Sequence, residues 1–122
     1  MNTNPFHLAT DLSTPSIILD ELSQDDNSLI REAVAKHPNT SSSVLNILAS
    51  DECPAVRIAV ALNPKTPADI LDIFSQDDIL IVLWFVVNHN NTSKETLDKM
   101  LRCGRADIVN RARGRLNNNS HN

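Results

Sequence analysis

Threonine recurs at a constant spacing, every twenty-six positions, at Thr14, Thr40, Thr66 and Thr92. A fixed period of that length marks stacked repeats rather than one irregular core. The segments that follow align without gaps. Thr14-Pro-Ser-Ile-Ile-Leu-Asp-Glu-Leu-Ser-Gln-Asp-Asp matches Thr40-Ser-Ser-Ser-Val-Leu-Asn-Ile-Leu-Ala-Ser-Asp-Glu and Thr66-Pro-Ala-Asp-Ile-Leu-Asp-Ile-Phe-Ser-Gln-Asp-Asp. A fourth copy opens Thr92-Ser-Lys-Glu-Thr-Leu-Asp-Lys-Met-Leu and then diverges. Leu19, Leu45, Leu71 and Leu97 share one position, with Leu22, Leu48, Phe74 and Met100 three residues on. In the second half of each copy Ile30, Val56, Val82 and Ile108 form one column, and Val34, Val60 and Val86 another. Apolar residues three and four apart make one face of a helix, so each unit predicts two short helices.

The punctuation agrees with that division. Thr at the head of each unit predicts an N-cap, with Pro15 and Pro67 at the first helical position, where no N–H is missed. Thr66 to Asp69 and Thr92 to Glu95 have capping-box spacing. Asp25, Asp51 and Asp77 close the first helices and are placed to cap the second ones, while Pro38 and Pro64 keep the second helices from running on. One such unit cannot bury its apolar face alone, so neighbours must stack. The predicted fold is an all-α solenoid of about four 26-residue two-helix repeats forming one domain, residues 1–116. Residues 1–13 are a half-repeat capping the N-terminal end, residues 14–39, 40–65 and 66–91 are full repeats, and residues 92–116 are a degenerate repeat or cap. The stretch from Arg105 to Arg115 aligns in more than one register, one of which places Ala112 on Ala59. Residues 117–122, Asn-Asn-Asn-Ser-His-Asn, predict a disordered tail.

Composition removes several alternatives. Two glycines in 122 residues exclude a Gly-rich phosphate cradle and disfavour a hairpin-rich β fold. The longest apolar run, Ile79 to Val87, is about half of a membrane span. The first residues show no basic start followed by an apolar stretch; Cys53 and Cys103 form no CxxC pair for a metal, and two thiols are too few for a disulfide framework. The expectation is a cytoplasmic protein with no cofactor, no metal and no membrane partner.

The stretch Leu45-Asn-Ile-Leu-Ala-Ser-Asp, continued by Val56-Arg-Ile-Ala-Val-Ala-Leu-Asn-Pro64, resembles the repeat of the bacterial variant leucine-rich repeat family. Ile30-Arg-Glu-Ala-Val-Ala-Lys-His-Pro38 matches the same pattern with His in place of Asn. The resemblance covers residues 14–91 well and residues 92–116 only in their first helix. It implies a right-handed superhelix in which an α-helix alternates with a shorter, partly 3₁₀ helix, and it implies no catalytic activity. HEAT-like α-solenoids are the neighbouring alternative. These units run slightly longer than the family's, which leaves room for an ordinary second α-helix.

Four sets of side chains are candidates for function. Arg31 and Arg57 share a column and would stack about 8–10 Å apart. They offer either a basic ladder for a partner or ion pairs to the turns Asp25/Asp26 and Asp51/Glu52. The helix carrying Ile79 to Val87 is apolar all round, so Leu83, Trp84 and Val87 either lie under the C-terminal cap or form a patch for a partner or a second copy. His37 and His89 occupy matching positions about 20 Å apart, too far to share a metal, and are read as turn caps. Charge is uneven: residues 1–91 hold 4 basic and 12 acidic side chains, and residues 92–122 hold 7 basic and 3 acidic. Arg105, Arg111, Arg113 and Arg115, with Arg102, make a basic end. Nucleic-acid binding through that end is disfavoured because no aromatic interleaves the arginines and the rest of the chain is acidic. Catalysis has little support, since Ser41-Ser-Ser43 has no histidine tied to it and one tryptophan and three phenylalanines are few for a base-excising pocket. The expected function is a non-catalytic protein–protein interaction module, binding another protein or a second copy. A nucleic-acid binder and an enzyme of unrecognised type are the alternatives.

Overall fold

The computed structural model describes residues 4–120, with side chains through residue 118. The first three residues of the N-terminal half-repeat, and His121 and Asn122 of the polar tail, lie outside the described residues. All regular structure among the described residues is α-helical. Four helices have seven residues and begin one repeat period apart: α2 (Ser16–Leu22), α4 (Ser42–Leu48), α6 (Ala68–Phe74) and α8 (Lys94–Met100). Three have nine residues and the same spacing: α3 (Ser28–Lys36), α5 (Pro54–Leu62) and α7 (Leu80–Asn88). α1 (Pro5–Thr10) precedes them, and α9 (Ala106–Ser120) extends through residues 117–120 of the polar segment. The second helix of each repeat is therefore α, and longer than the first. That differs from the shorter, partly 3₁₀ element implied by the family resemblance. Apolar residues at positions 30, 34 and 35, and at 56, 59, 60 and 61, fill more than one helical turn and hold the helix against its neighbours.

The chain divides into two compact units, Met1–Thr66 and Pro67–Asn122. In the first, α3 packs between α1 and α5, and Leu19, Val34, Leu45, Val56 and Val60 are fully buried. In the second, α7 and α8 pack on α9, burying Leu71, Phe74, Val82, Val86, Leu97 and Ile108. The apolar columns that begin at Leu19, Ile30 and Val34 fall in these cores, Ile108 included.

The recurring threonines do something other than cap helices. α2 and α6 begin after Pro15 and Pro67, whose carbonyls accept the Leu19 and Leu71 N–H at 3.3 and 3.2 Å, so proline occupies the N-cap position. Ser41 and Ser93 fill the same place before α4 and α8, their hydroxyls accepting from the N–H of Val44 and Thr96. Thr14, Thr40, Thr66 and Thr92 are all buried, and each Oγ1 donates to the carbonyl six residues earlier. The acceptors are Leu8, Val34, Val60 and Val86, at 2.6, 2.6, 2.5 and 2.6 Å. A helix leaves its last four carbonyls without internal partners, and one of them is supplied here by a side chain beyond the turn. The capping-box expectation at Thr66 and Thr92 fails for the same reason, since their hydroxyls point back to the preceding helix. Asp25, Asp51 and Asp77 stand two residues before the N-cap rather than at it: each Oδ1 accepts the N–H of that cap residue, Asn27, Cys53 and Ile79, bending the chain into the next helix.

A donor and a cap place different demands on position 66. Thr66→Ser keeps a hydroxyl that can reach Val60, whereas Thr66→Asp, a good N-cap, offers no donor to that carbonyl. We expect Thr66→Asp and Thr66→Val to lower stability in urea unfolding by about 1–3 kcal/mol, and Thr66→Ser by clearly less. Equal stability of the Asp and Ser variants would contradict the donor role.

Candidate interaction surface

Arg31 and Arg57 are occupied within the first unit. Arg31 makes a two-point contact with Asp51, Nε to Oδ2 at 2.7 Å and Nη2 to Oδ1 at 3.2 Å. Its Nη1 donates to the carbonyls of Asp25 and Asp26. The paired guanidinium holds the Asp51 carboxyl below the ordinary carboxylate range, and the same hydrogen bond raises Arg31. Arg57 Nη1 donates to the Asp51 carbonyl at 2.7 Å. Of the two arrangements open to these arginines, the structure contains the pairing with the acidic turns.

The polar residue that ends each nine-residue helix has a constant job. His37 Nδ1 accepts the Asn39 N–H at 3.0 Å, and Nε2 lies 2.7 Å from the Asp11 carbonyl, so Nε2 carries the proton. Asn63, one repeat later, copies this with its amide. Oδ1 accepts from the Lys65 N–H, and Nδ2 donates to the carbonyls of Ala35 at 2.8 Å and His37 at 3.3 Å. His89 Nδ1 accepts the Asn91 N–H. Arg115, one further repeat on, donates from Nη1 to the Val87 and His89 carbonyls at 3.0 and 2.8 Å, the places that Asn63 reaches on α3. A cation at the C-terminus of α7 also meets the negative end of the helix dipole. Burial, then the nearby charge of Arg111, lowers the Arg115 pKa. This contact settles the register of α9: Ile108 and Ala112, both fully buried, stand one full period after Val82 and Val86, and the alignment of Ala112 with Ala59 is set aside.

The basic end is accordingly not one free cluster. Arg115 is a helix cap, Arg111 Nε donates to Asn88 Oδ1 at 2.6 Å, and Arg113 reaches Asn110 Oδ1 only at 3.5 Å. Arg102 and Arg105 are exposed and make no ion pair among the described residues.

The apolar run splits by helical phase. Leu83 and Val87 are core residues, 4% and 0% exposed, so they are corrected from candidate anchors to packing residues. Trp84 is 41% exposed, with Leu80 and Ile81 exposed beside it. At about 100° per residue, Val82, Leu83, Val86 and Val87 span one arc, and Ile81, Trp84 and Asn88 centre on the opposite one. That phase is contained in the sequence, because Val87 follows Ala35 and Ala61 in a column of buried residues. Leu80, Ile81 and Trp84 line a shallow depression of about 310 Å³ against α9, with Asp107 at its edge. The first unit carries a similar apolar groove of about 340 Å³, where Phe6, Leu12 and Leu29 are exposed beside Ala33. The repeat period does not mark those residues.

Among the described residues no group of three His, Cys, Asp or Glu side chains could hold a metal ion, and no helix is long and apolar enough to cross a membrane. Comparison with protein families, curated proteins and solved structures finds no match to this chain.

Because its folded pKa is depressed, Asp51 contributes stability at pH values above its unfolded pKa, near 3.9, and loses that contribution as pH falls through the folded value. We expect Asp51→Asn to be less stable than the wild type at neutral pH, and to lose less stability between about pH 5 and pH 2. Parallel acid limbs in pH-dependent urea unfolding would show that the Arg31–Asp51 pair contributes nothing.

Proposed function

We propose that the chain is a non-catalytic protein–protein interaction module, an α-solenoid of 26-residue two-helix units of the variant leucine-rich or HEAT-like kind, and that Trp84 anchors its partner. The observation that carries this reading is how its side chains are allocated. Thr, His, Asn and Arg at the repeat positions are spent on turns and helix ends, while large apolar side chains stay outside. Trp, with Ile and Leu around it, has the composition of a binding hot spot: a rigid aromatic that gains much when desolvated and costs little rotamer entropy. Asn88 and Arg111 beside it supply a polar rim, since Asn88 Nδ2 donates to the Trp84 carbonyl at 2.9 Å while its Oδ1 holds Arg111. The preformed helical scaffold lowers the ordering cost of binding.

Because Trp84 is the sole tryptophan, its emission reports directly on this surface. We expect Trp84→Asp to keep the helical circular dichroism of the wild type and change stability by less than about 1 kcal/mol. Val87→Asp should unfold the second unit. In affinity capture from the source cells, the specific partner retained by the wild type should be absent with Trp84→Asp, and the purified partner should shift Trp84 emission to the blue. An unchanged capture profile with Trp84→Asp would overturn the anchor, and unfolding of that variant would place Trp84 in the core.

A further inference from the structure

The surface around Trp84 is complementary to itself. All of it lies on α7 and α9, within the second unit. Leu80, Ile81 and Trp84 form its apolar middle, with Asp107 beside the start of α7 and Arg111 bonded to Asn88 at the end of that helix. One carboxylate and one guanidinium therefore flank three apolar side chains. The two charges stand four residues apart on α9 without pairing, because the 2.6 Å bond to Asn88 draws Arg111 onto α7 while Asp107 Oδ1 accepts the Ile108 N–H. Among the described residues neither has an ion-pair partner. The same stripe of α9 continues to Gly114, three residues after Arg111. A Cβ at Gly114 would meet nothing within 4 Å in its own chain, so no internal neighbour requires glycine there. Glycine weakens a helix interior relative to ordinary residues, and the positions one, two and three periods earlier hold Asn88, Leu62 and Lys36. A bare backbone on an exposed stripe suits the close approach of another chain.

We propose that a second copy of this chain covers the Trp84 face, the two copies related by a two-fold axis that passes between their Trp84 side chains. This rests on the reading of Trp84 as an anchor and names its partner. About a two-fold axis a patch meets itself, so each apolar middle covers the other. With the two α9 helices running in opposite directions, Asp107 of each copy comes opposite Arg111 of the other. The partner is a second copy because the face carries equal and opposite charge on either side of its apolar middle, which suits neither a purely acidic nor a purely basic partner. Leu80, Ile81 and Trp84 are 41%, 46% and 41% exposed, a small patch beside the roughly 800 Å² a side of a standard interface. Pairing is therefore weak and depends on protein concentration.

The test is molar mass by light scattering or sedimentation from about 1 μM to about 1 mM protein, with Trp84 emission read on the same samples. The wild type should rise from the 13.5 kDa of one chain toward twice that mass, its emission shifting to the blue over the same range. Trp84→Asp should keep its helical circular dichroism and the mass of one chain throughout. Asp107→Arg and Arg111→Asp each set like charges opposite one another and should weaken association by about tenfold or more. The double variant Asp107→Arg/Arg111→Asp exchanges the two signs and should restore it. Gly114→Gln should raise the thermal midpoint of the dilute, monomeric protein yet weaken pairing. A wild type that stays monomeric at about 1 mM would overturn self-pairing, and capture of a different protein that still depends on Trp84 would leave the anchor itself standing. A dimer that survives Trp84→Asp, or a double charge variant no better than the single ones, would overturn the two-fold contact.

Discussion

A short helix has nearly as many unbonded end groups as internal bonds, and here three nine-residue helices, α3, α5 and α7, end among packed neighbours rather than in water. A buried carbonyl left unpaired costs on the order of 1–3 kcal/mol, comparable to a large part of what one short helix gains by packing. The chain meets this constraint in two ways. A threonine six residues on donates back to the helix it has just left, at Val34, Val60 and Val86. A second donor then reaches the same helix end from the following repeat, as Asn63 does on α3 and Arg115 on α7. The ring of His37 and the amide of Asn63 also accept a turn N–H, so one side chain joins its own turn to the preceding helix or turn.

That use of polar groups determines what is left for the surface. Arg31, Asp51, His37 and Arg115 look like binding or proton-transfer residues when considered singly, yet their atoms are bonded to the scaffold. On α7 the polar residues of the earlier helices, Arg31, Glu32, Lys36 and Arg57, give way largely to apolar ones, and the inward half of that helix is absorbed by the core. The outward half, Leu80, Ile81 and Trp84, has nothing in its own unit to cover it fully.

Most of the helical layout was legible from the period. The Leu19, Leu45, Leu71 and Leu97 column and the Val34, Val60 and Val86 column read as core from their spacing, and every member is buried. The threonines were legible as special but not in their role, because a hydroxyl beside a helix start suits a cap and a back-donated bond equally. Only the location of the donors and acceptors, a turn away in the chain, separates them. The site was legible in part. Leu83, Trp84 and Val87 are alike in hydrophobicity, and grouping them on that ground ignores helical phase, which turns Leu83 and Val87 inward and leaves Trp84 exposed. The register of α9 rests on Arg115, where the expected cap, His or Asn, is replaced by a charge that composition assigns to a basic surface.

The most direct test of this scheme is the protonation site of the His37 ring, read from long-range ¹H–¹⁵N correlations of the folded protein near neutral pH. The bonds to Asn39 and Asp11 require a proton on Nε2 and a bare Nδ1. A ring held in the Nε2–H tautomer, with the Nε2 proton protected from solvent exchange, is the result expected here. A Nδ1–H tautomer, or a ring averaging freely between the two, would contradict the claim that these end-of-helix side chains tie each turn to what precedes it.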